Sequence, residues 1–454
     1  MATKRDLVEA HAFNRRRLVA AFLSGAPGGR EVEPARPARA VVGGAVLAVL
    51  VIGGSALFGF LRPGLPDDWN KNKLVISRDG ASRYVATEDG VLRPVLNTSS
   101  ARLVIPPSDY EVVFAPDDEI AGQQIGDTIG IVGAPDTLPE PSNLVQTGWT
   151  SCIDRRANTL LRLHDSPGAE ATGDALAQVV TTNGLVWVLW DKARYPIAPE
   201  DVNGVLLALR LAGTDPLEVP GTWLDLFPEA PALAPVGVPQ AGEPFTAGPA
   251  PAGAVIGSVL VVEGVDGTTT RYLLTDSGIA ELTDVATSLY SINPDAQPEV
   301  QASQGEIAAL PALSDQPYPA AWPAPIPTPS PDPMTCVLLT ADAEEVPVVE
   351  LARLTDEGAA PVGGSSAVVE PGHGALIRAI AGTITNRGTV SLVDSTAQRF
   401  PFGAPEADVA ERLGYADVAP TLVPLPWAEA LRDGPELSEQ AARQVVSRAP
   451  EAAG

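Results

Sequence analysis

Residues 40–61 read AVVGGAVLAVLVIGGSALFGFL, 22 positions without a charge. A helix rising about 1.5 Å per residue would make this run roughly 33 Å long, enough to cross the hydrocarbon core of a bilayer. Uninterrupted apolar runs of this length mark membrane spans far more often than buried soluble helices. The reading splits the chain into a short leading piece and a long body, and the two differ in charge. Residues 1–39 hold eight Lys/Arg and four acids, a net of +4. Of the chain's 30 basic and 56 acidic residues this leaves 22 and 52 for residues 40–454, a net of −30. Basic flanks stay inside, so the N-terminus is placed in the cytoplasm and residues 62–454 outside the cytoplasmic (inner) membrane. A cleaved signal peptide is the rival reading, but a 39-residue leading region and a 22-residue apolar run are both too long for one.

Inside the run, Gly44, Ala48, Ser55 and Gly59 project within about 60° of one another at 100° per residue. A stripe of small residues lets a second membrane helix approach closely. A Gly- and Ala-rich chain would also carry such residues without using them for packing. Ahead of the span, residues 4–24 (KRDLVEAHAFNRRRLVAAFLS) read as an amphipathic helix, with Leu7, Val8, Phe13, Leu18, Val19, Phe22 and Leu23 on an apolar face and a stop at Gly25-Ala26-Pro27. Arg15, Arg16 and Arg17 suit anionic headgroups or a cytoplasmic partner. Residues 28–38 form a Pro/Arg/Glu linker.

From Arg62 onward 393 residues remain, enough for two or three domains, and 45 prolines and 42 glycines in the chain call for many turns rather than long helices. One pattern recurs: a β-rich apolar run, a polar turn, then Arg and an aromatic residue. It occurs in LVISRDGASRYV (Arg83-Tyr84), LVWVLWDKARYPI (Arg194-Tyr195), SVLVVEGVDGTTTRYLL (Arg271-Tyr272) and TVSLVDSTAQRFPF (Arg399-Phe400). Each reads as a β-hairpin. Tyr84, Tyr195, Tyr272 and Phe400 are therefore expected at equivalent core positions of four repeats, with the arginines on the opposite strand face.

The four fall into two pairs. Gly90 and Gly278 follow the first and third aromatics by six residues, whereas Pro196 and Pro401 follow the second and fourth directly. Trp223 and Trp427 lie 28 and 27 residues beyond their aromatics. Cys152 (WTSC) and Cys336 (MTC) keep the same order, 68 and 64 residues beyond Tyr84 and Tyr272. The expected organisation is two related halves, roughly 74–234 and 259–446. In segments, it runs as follows: 1–39, cytoplasmic helix and linker; 40–61, transmembrane helix; 62–151, repeat 1 and lead-in; 152–184, first part of a central domain; 185–234, repeat 2; 235–254, Pro/Gly linker; 255–335, repeat 3 and a Pro-rich run; 336–387, second part of the central domain; 388–454, repeat 4 and tail. A terminal helix is expected over 436–448. The two cysteines, both extracytoplasmic, are expected to form one disulfide tying the halves together; two buried free thiols are the alternative.

Candidate chemistry is sparse. No GxxxxGK[ST] cradles a phosphate and no GxSxG offers a nucleophile. His11, His164 and His373 stand apart in sequence without metal-ligand spacing, so no metal, cofactor or catalytic residue is nominated. The acidic body, with Lys71, Lys73 and Lys192 as its only lysines, argues against nucleic acid.

The basic pre-helix AHAFNRRRLVAAFLSG, the single span, RYVATEDGVLRPVLNTSSARLV, IGIVGAPDTLPEPSNLV, WTSC and the repeated Arg-Tyr motif resemble EccB, the single-pass core component of type VII (ESX) secretion systems. The resemblance covers nearly the whole chain and is strongest over 4–25 and 74–152. It implies an α+β protein: a cytoplasmic helix, one membrane helix, and an elongated extracytoplasmic domain of four small repeats around a central β domain crossed by a disulfide. It also implies EccC, EccD, EccE and further EccB copies as partners, with the cell wall a further candidate, and a structural role in the membrane complex. An extracytoplasmic ATPase, the activity some family members are labelled with, or an envelope-binding or envelope-hydrolysing protein is the alternative.

Overall fold

The computed structural model describes residues 3–24, 37–60, 65 and 67–446, with the side chains of 23, 24, 37–40 and 54–60 outside the description. The chain divides into two compact units, 1–66 and 67–454. Most of the expected linker, the last residue of the apolar run with residues 62–64, and the end of the tail lie outside the described residues.

The first unit holds α1, Lys4–Ser24, and α2, Pro37–Phe60. Asp6 accepts from the Thr3 backbone N–H (2.9 Å) and hydroxyl (2.8 Å), closing the start of α1. On α1, Leu7, Val8, Leu18, Val19 and Phe22 fall within about 120° of arc at 100° per residue, but Arg15 lies inside that arc and Phe13 outside it. The expected apolar face is therefore interrupted. In α2 a proline occupies the first position, where its missing N–H costs nothing. Its 24 residues make it about 36 Å long. Among the described residues no helix is long and apolar enough to cross a membrane; the described side chains of α2 run from Val41 to Gly53, and all are exposed.

The second unit opens with an antiparallel meander, β1 (Leu74–Ser77), β2 (Arg83–Ala86) and β3 (Leu92–Pro94). The helix Thr98–Val104 follows, capped by the Asn97 side chain, and then β4 (Val112–Ala115) returns parallel to β1. A short helix, Asp117–Ala121, comes next, and Ile125 bridges in parallel to Leu92 on the third strand.

The same succession occurs three more times. In the second sheet β8 (Leu176–Thr182), β9 (Leu185–Trp190) and β10 (Ala193–Ile197) form the meander, the helix Val202–Ala208 follows, and β11 (Leu217–Glu218) lies parallel to β8. The β8–β9 turn uses Asn183 and Gly184, both at positive φ (51° and 78°), the backbone a tight hairpin requires. The third sheet comprises β12 (Val259–Glu263), β13 (Thr269–Leu274), β14 (Ile279–Leu282), the helix Asp284–Ser291 and a parallel β15 (Glu299–Gln301). The strand β16 (Thr328–Pro329) lies alongside the start of β8. The fourth sheet has β20 (Ala375–Ile380), β21 (Thr389–Val393), β22 (Gln398–Pro401), the helix Glu406–Leu413, a parallel β23 (Thr421–Pro424), and β24 (Arg432–Asp433) parallel to β22.

The remaining strands build a central sheet: β5 (Trp149–Ile153), β6 (Thr159–Leu163) and β7 (Ala169–Ala171) from the first half, and β17 (Thr335–Thr340), β18 (Val348–Leu354) and β19 (Ser365–Val369) from the second. Their order is β19-β6-β5-β17-β18-β7. The third strand of each half crosses over to pair with the second strand of the other, β7 antiparallel to β18 and β19 parallel to β6.

Packing joins the small sheets in pairs. Leu103, Phe400, Leu413 and Tyr415 share one core between the first and fourth sheets, and the helices Thr98–Val104 and Glu406–Leu413 touch. Tyr195, Leu209, Val285 and Leu289 share another between the second and third, where the helices Val202–Ala208 and Asp284–Ser291 touch. A third core, with Trp149, Trp223, Val337 and Trp427, unites the central sheet with the second and fourth sheets.

Two details differ from the sequence reading. Strands β8 and β20 belong to the second and fourth small sheets, although residues 152–184 and 336–387 were assigned to the central domain. In these two sheets the hairpin that drew attention is the second turn of the meander, so the first strand lies upstream of the legible motif. The terminal helix is also shorter, Glu439–Ala442. Beyond it the β-branched Val445 and Val446 leave the helix and pair with Ile129 and Thr128.

Candidate assembly surfaces and a cross-sheet cluster

Cys152 and Cys336 face each other across the antiparallel β5–β17 pair and form a disulfide with a Cα–Cα distance of 4.0 Å. Both are fully buried, packed with Ala169, Ala352 and Ala359. Register places Trp149 opposite Leu339 and Ile153 opposite Thr335, so the bridge sits where the innermost strands of the two halves meet.

The four Arg-aromatic motifs do not occupy one equivalent position. Arg83-Tyr84 and Arg271-Tyr272 lie on the second strands of their meanders, β2 and β13, whereas Arg194-Tyr195 and Arg399-Phe400 lie on the third strands, β10 and β22. A meander has two successive hairpins, and both can show the same alternation, so the pattern matched the first hairpin in two sheets and the second in the other two. Burial follows the pairs. Tyr195 is 4% and Phe400 1% exposed, while Tyr84 and Tyr272 are half-buried. The Tyr195 hydroxyl donates to the carbonyl of Ala321 at 3.0 Å, and burial, with the Asp191 carboxylate adding, pushes it up to about 12.

All four arginines meet a downstream acid. Arg83 pairs with Asp136, Arg194 with Asp225 and with Glu229 (3.3 Å), Arg271 with Glu299 (3.2 Å) and Arg399 with Asp433 (3.1 Å from Nε). In the second and fourth sheets these acids sit opposite the arginines in parallel backbone pairing, Arg194 with Glu229 and Arg399 with Asp433. The arginine thus fastens a later segment of its unit to the meander, β15 in the third sheet and a stretch near the unit's end in the other three, a role the motif alone did not reveal.

On α2, Gly44 and Ala48 are exposed, and a Cβ added at Gly44 would meet nothing within 4 Å. Ser55 and Gly59 lie on the helix, with side chains outside the described residues.

One grouping departs from the sequence reading. His164 and His373, taken as isolated, come together at one edge of the central sheet with Asp165 and Glu370. His164 Nδ1 is 3.3 Å from a Glu370 carboxylate oxygen, and His373 Nε2 is 3.6 Å from Asp165 Oδ2. One oxygen from each of Asp165 and Glu370 and one ring nitrogen of His373 lie within 4.8 Å of one another. The signal in the sequence was the pair His164-Asp165 and the turn Glu370-Pro371-Gly372-His373. Linear spacing did not join them because the parallel pairing of β6 with β19 spans about 200 residues of chain.

A family model described as "Type VII secretion system ESX-1, transport TM domain B" matches residues 1–450. The "ESX-3 secretion system ATPase EccB3" of Mycobacterium tuberculosis is 28% identical over 450 residues, covering 87% of this chain and 81% of its own. The "ESX-2 secretion system ATPase EccB2" of the same organism is 28% identical over 483 residues, covering 97% and 94%. Among solved structures, a chain of an intact ESX-5 inner membrane complex is similar at a TM-score of 0.67 and 22% identity, covering 100% of this chain and 98% of that one. A chain of an EccB3 dimer from the ESX-3 core complex is similar at a TM-score of 0.68 and 24% identity, covering 82% and 100%.

Proposed function

Because this chain belongs to the EccB family of type VII secretion membrane components, we propose that it is a structural subunit of an ESX inner-membrane complex, anchored by α2 and bracing the assembly from the periplasmic side. The observation that carries this reading is the central sheet. Its two halves exchange outer strands and are bridged at their innermost pair by Cys152–Cys336, and each half carries two units of one common plan. Such an arrangement makes one stiff body from four small sheets, each too small to be stable alone.

On this reading α2 is a single span. Its support is the 22-residue uncharged run and the change from a net of +4 before it to −30 over residues 40–454. The first unit then meets the membrane components of the complex, of the EccC, EccD and EccE kind, and the second meets further copies of itself. The four repeats form two pseudo-symmetric halves, with the second and fourth units inside and the first and third outside.

The word ATPase in the relatives' names gives the second reading, but the body of this chain has three lysines and no P-loop to hold a triphosphate. Affinity purification of the tagged full chain from detergent-solubilised membranes tests both. The structural reading expects a large, multi-component particle and no ATP turnover. A monomeric chain whose ATP hydrolysis is abolished by one point substitution would replace it with the enzymatic one.

A further inference from the structure

We infer that Asp165, Glu370 and His373 form a binding site for a divalent transition-metal ion of the zinc class, held between the two halves of the central sheet.

The fold explains why these residues meet. Strands β6 and β19 run parallel and end together, Leu163 opposite Val369, and the Glu370 N–H donates to the Leu163 carbonyl at 3.0 Å. Parallel strands deliver their following residues to the same edge of a sheet, so Asp165 arrives from the first half and Glu370 from the second. The chain then turns at once. The His373 N–H donates to the Glu370 carbonyl at 2.9 Å, with Pro371 at the second turn position and Gly372 at the third, where φ is +81°. This is a type II turn, which demands a residue at ease with positive φ. It places the side chain of His373 beside that of Glu370.

The donor set suits such an ion. Imidazole with carboxylates is the ligation of zinc and its first-row neighbours, whereas magnesium and calcium take oxygen alone. Zinc holds nitrogen and oxygen at about 2.0–2.2 Å, so tetrahedral ligand atoms stand roughly 3.3 Å apart. His373 Nε2 and Asp165 Oδ2 are already 3.6 Å apart, and the three ligand atoms all lie within 4.8 Å of one another. The Asp165 side chain is 66% exposed and free to rotate inward.

The contacts of His373 suit a ligand. Its Nδ1 lies 3.3 Å from the carbonyl of Pro371, which can only accept, so Nδ1 carries a hydrogen. This second contact is the kind that orients a ligating histidine. The other ring nitrogen, Nε2, faces the Asp165 carboxylate at 3.6 Å, where an ion held by both would sit. His164 stands aside: its Nδ1 already accepts the Ser166 N–H at 3.1 Å. The site therefore offers three protein ligands and an open fourth position.

The test uses the full-length protein in detergent, stripped with a chelator and titrated with zinc chloride by calorimetry, with cobalt absorption reporting the coordination. We expect one saturable ion per wild-type chain, affinity lowered at least about tenfold by Asp165→Asn and by His373→Gln, and affinity unchanged by His11→Ala. Asp165→Asn alters an exposed group and leaves thermal unfolding of the metal-free protein as in wild type, which separates lost ligation from lost folding. Wild-type protein that takes up no stoichiometric zinc overturns the inference and leaves a plain histidine–carboxylate contact. So does zinc binding as tight in both variants as in wild type.

Discussion

Trp427 donates its indole N–H to the carbonyl of Leu226 across 3.0 Å, although 201 residues separate them in the chain. Its counterpart Trp223 donates to the Ser151 hydroxyl on β5 at 3.1 Å. Both rings are buried in the core that unites the central sheet with the second and fourth small sheets. Each tryptophan thus leaves its own unit: Trp427 reaches the second sheet's unit and Trp223 the central sheet.

Trp427→Phe removes the indole donor along with part of the buried ring and leaves the Leu226 carbonyl without its partner. A loss of at least about 1–3 kcal/mol is expected, the carbonyl's lost partner adding to the cavity left by the smaller ring, read as a lower denaturation midpoint of the purified chain. An unchanged midpoint would mean that the pairing contributes nothing to holding the two units together.

Phe400 and Tyr84 come from similar sequence but different strands. Phe400 is 1% exposed, and Phe400→Ala should cost roughly 3–5 kcal/mol. Tyr84 is half-buried, and Tyr84→Ala should cost clearly less. Equal losses in thermal unfolding would restore the fourfold equivalence that the strand positions deny.

The disulfide closes a loop of 184 residues, for which the chain-entropy relation gives about 5 kcal/mol. Denatured, unreduced protein should react with no maleimide. Reduction should lower the unfolding midpoint substantially, and Cys152→Ser/Cys336→Ser should match the reduced wild type. Two reactive thiols in the unreduced chain would remove the bridge.

Asp136 accepts from Arg83 and also from the Thr98 N–H at 2.9 Å, at the start of a helix. The Arg83 hydrogen bond, with those from Thr98 adding, holds its carboxyl below the usual value of 3.8. A lowered folded-state pKa gives stability that is present above the unfolded value and lost as pH falls through the folded one. Wild type should therefore exceed Asp136→Asn by no more than about 1 kcal/mol near neutrality, and the gap should close below about pH 4. A gap constant from neutral pH to pH 2 would assign the effect to shape rather than charge.

Gly44→Leu with Gly59→Leu should leave membrane insertion intact and reduce the size of the complex on a native gel. Among the described residues a Cβ at Gly44 meets nothing within 4 Å, so the bulk is accommodated within the helix and is felt by a packed partner. Unchanged size would turn this face toward lipid.

What could be read in advance was what local chemistry dictates. Residues 40–60 are helical because no proline interrupts them, and the strands around Arg83, Arg194, Arg271 and Arg399 alternate because one face is covered. Cys152 and Cys336 had no third cysteine to compete with. What escaped notice depends on partners far along the chain. Alternation marks a hairpin without telling which of a meander's two hairpins it is. Nothing near Ala169 or Ser365 announces that their strands cross to the other half. His164 and His373 meet through a parallel pairing whose two strands carry no mutual signal.

The order of contacts is nested like brackets. The second and third units are neighbours in sequence and pair with each other. The central strands enclose them, and the first and fourth units close the outside, down to the bridge between Ile129 and Val445. A chain emerging N-terminus first therefore makes its first unit long before the surface that covers it exists. Synthesis halted before residue 375 would leave Leu103 and Val104 without the Leu413 and Tyr415 that bury them. Loss of even the last few described residues would strip the strand partner from Thr128–Gly130. Shortened products should consequently be caught by envelope proteases at the first small sheet, far from their broken end.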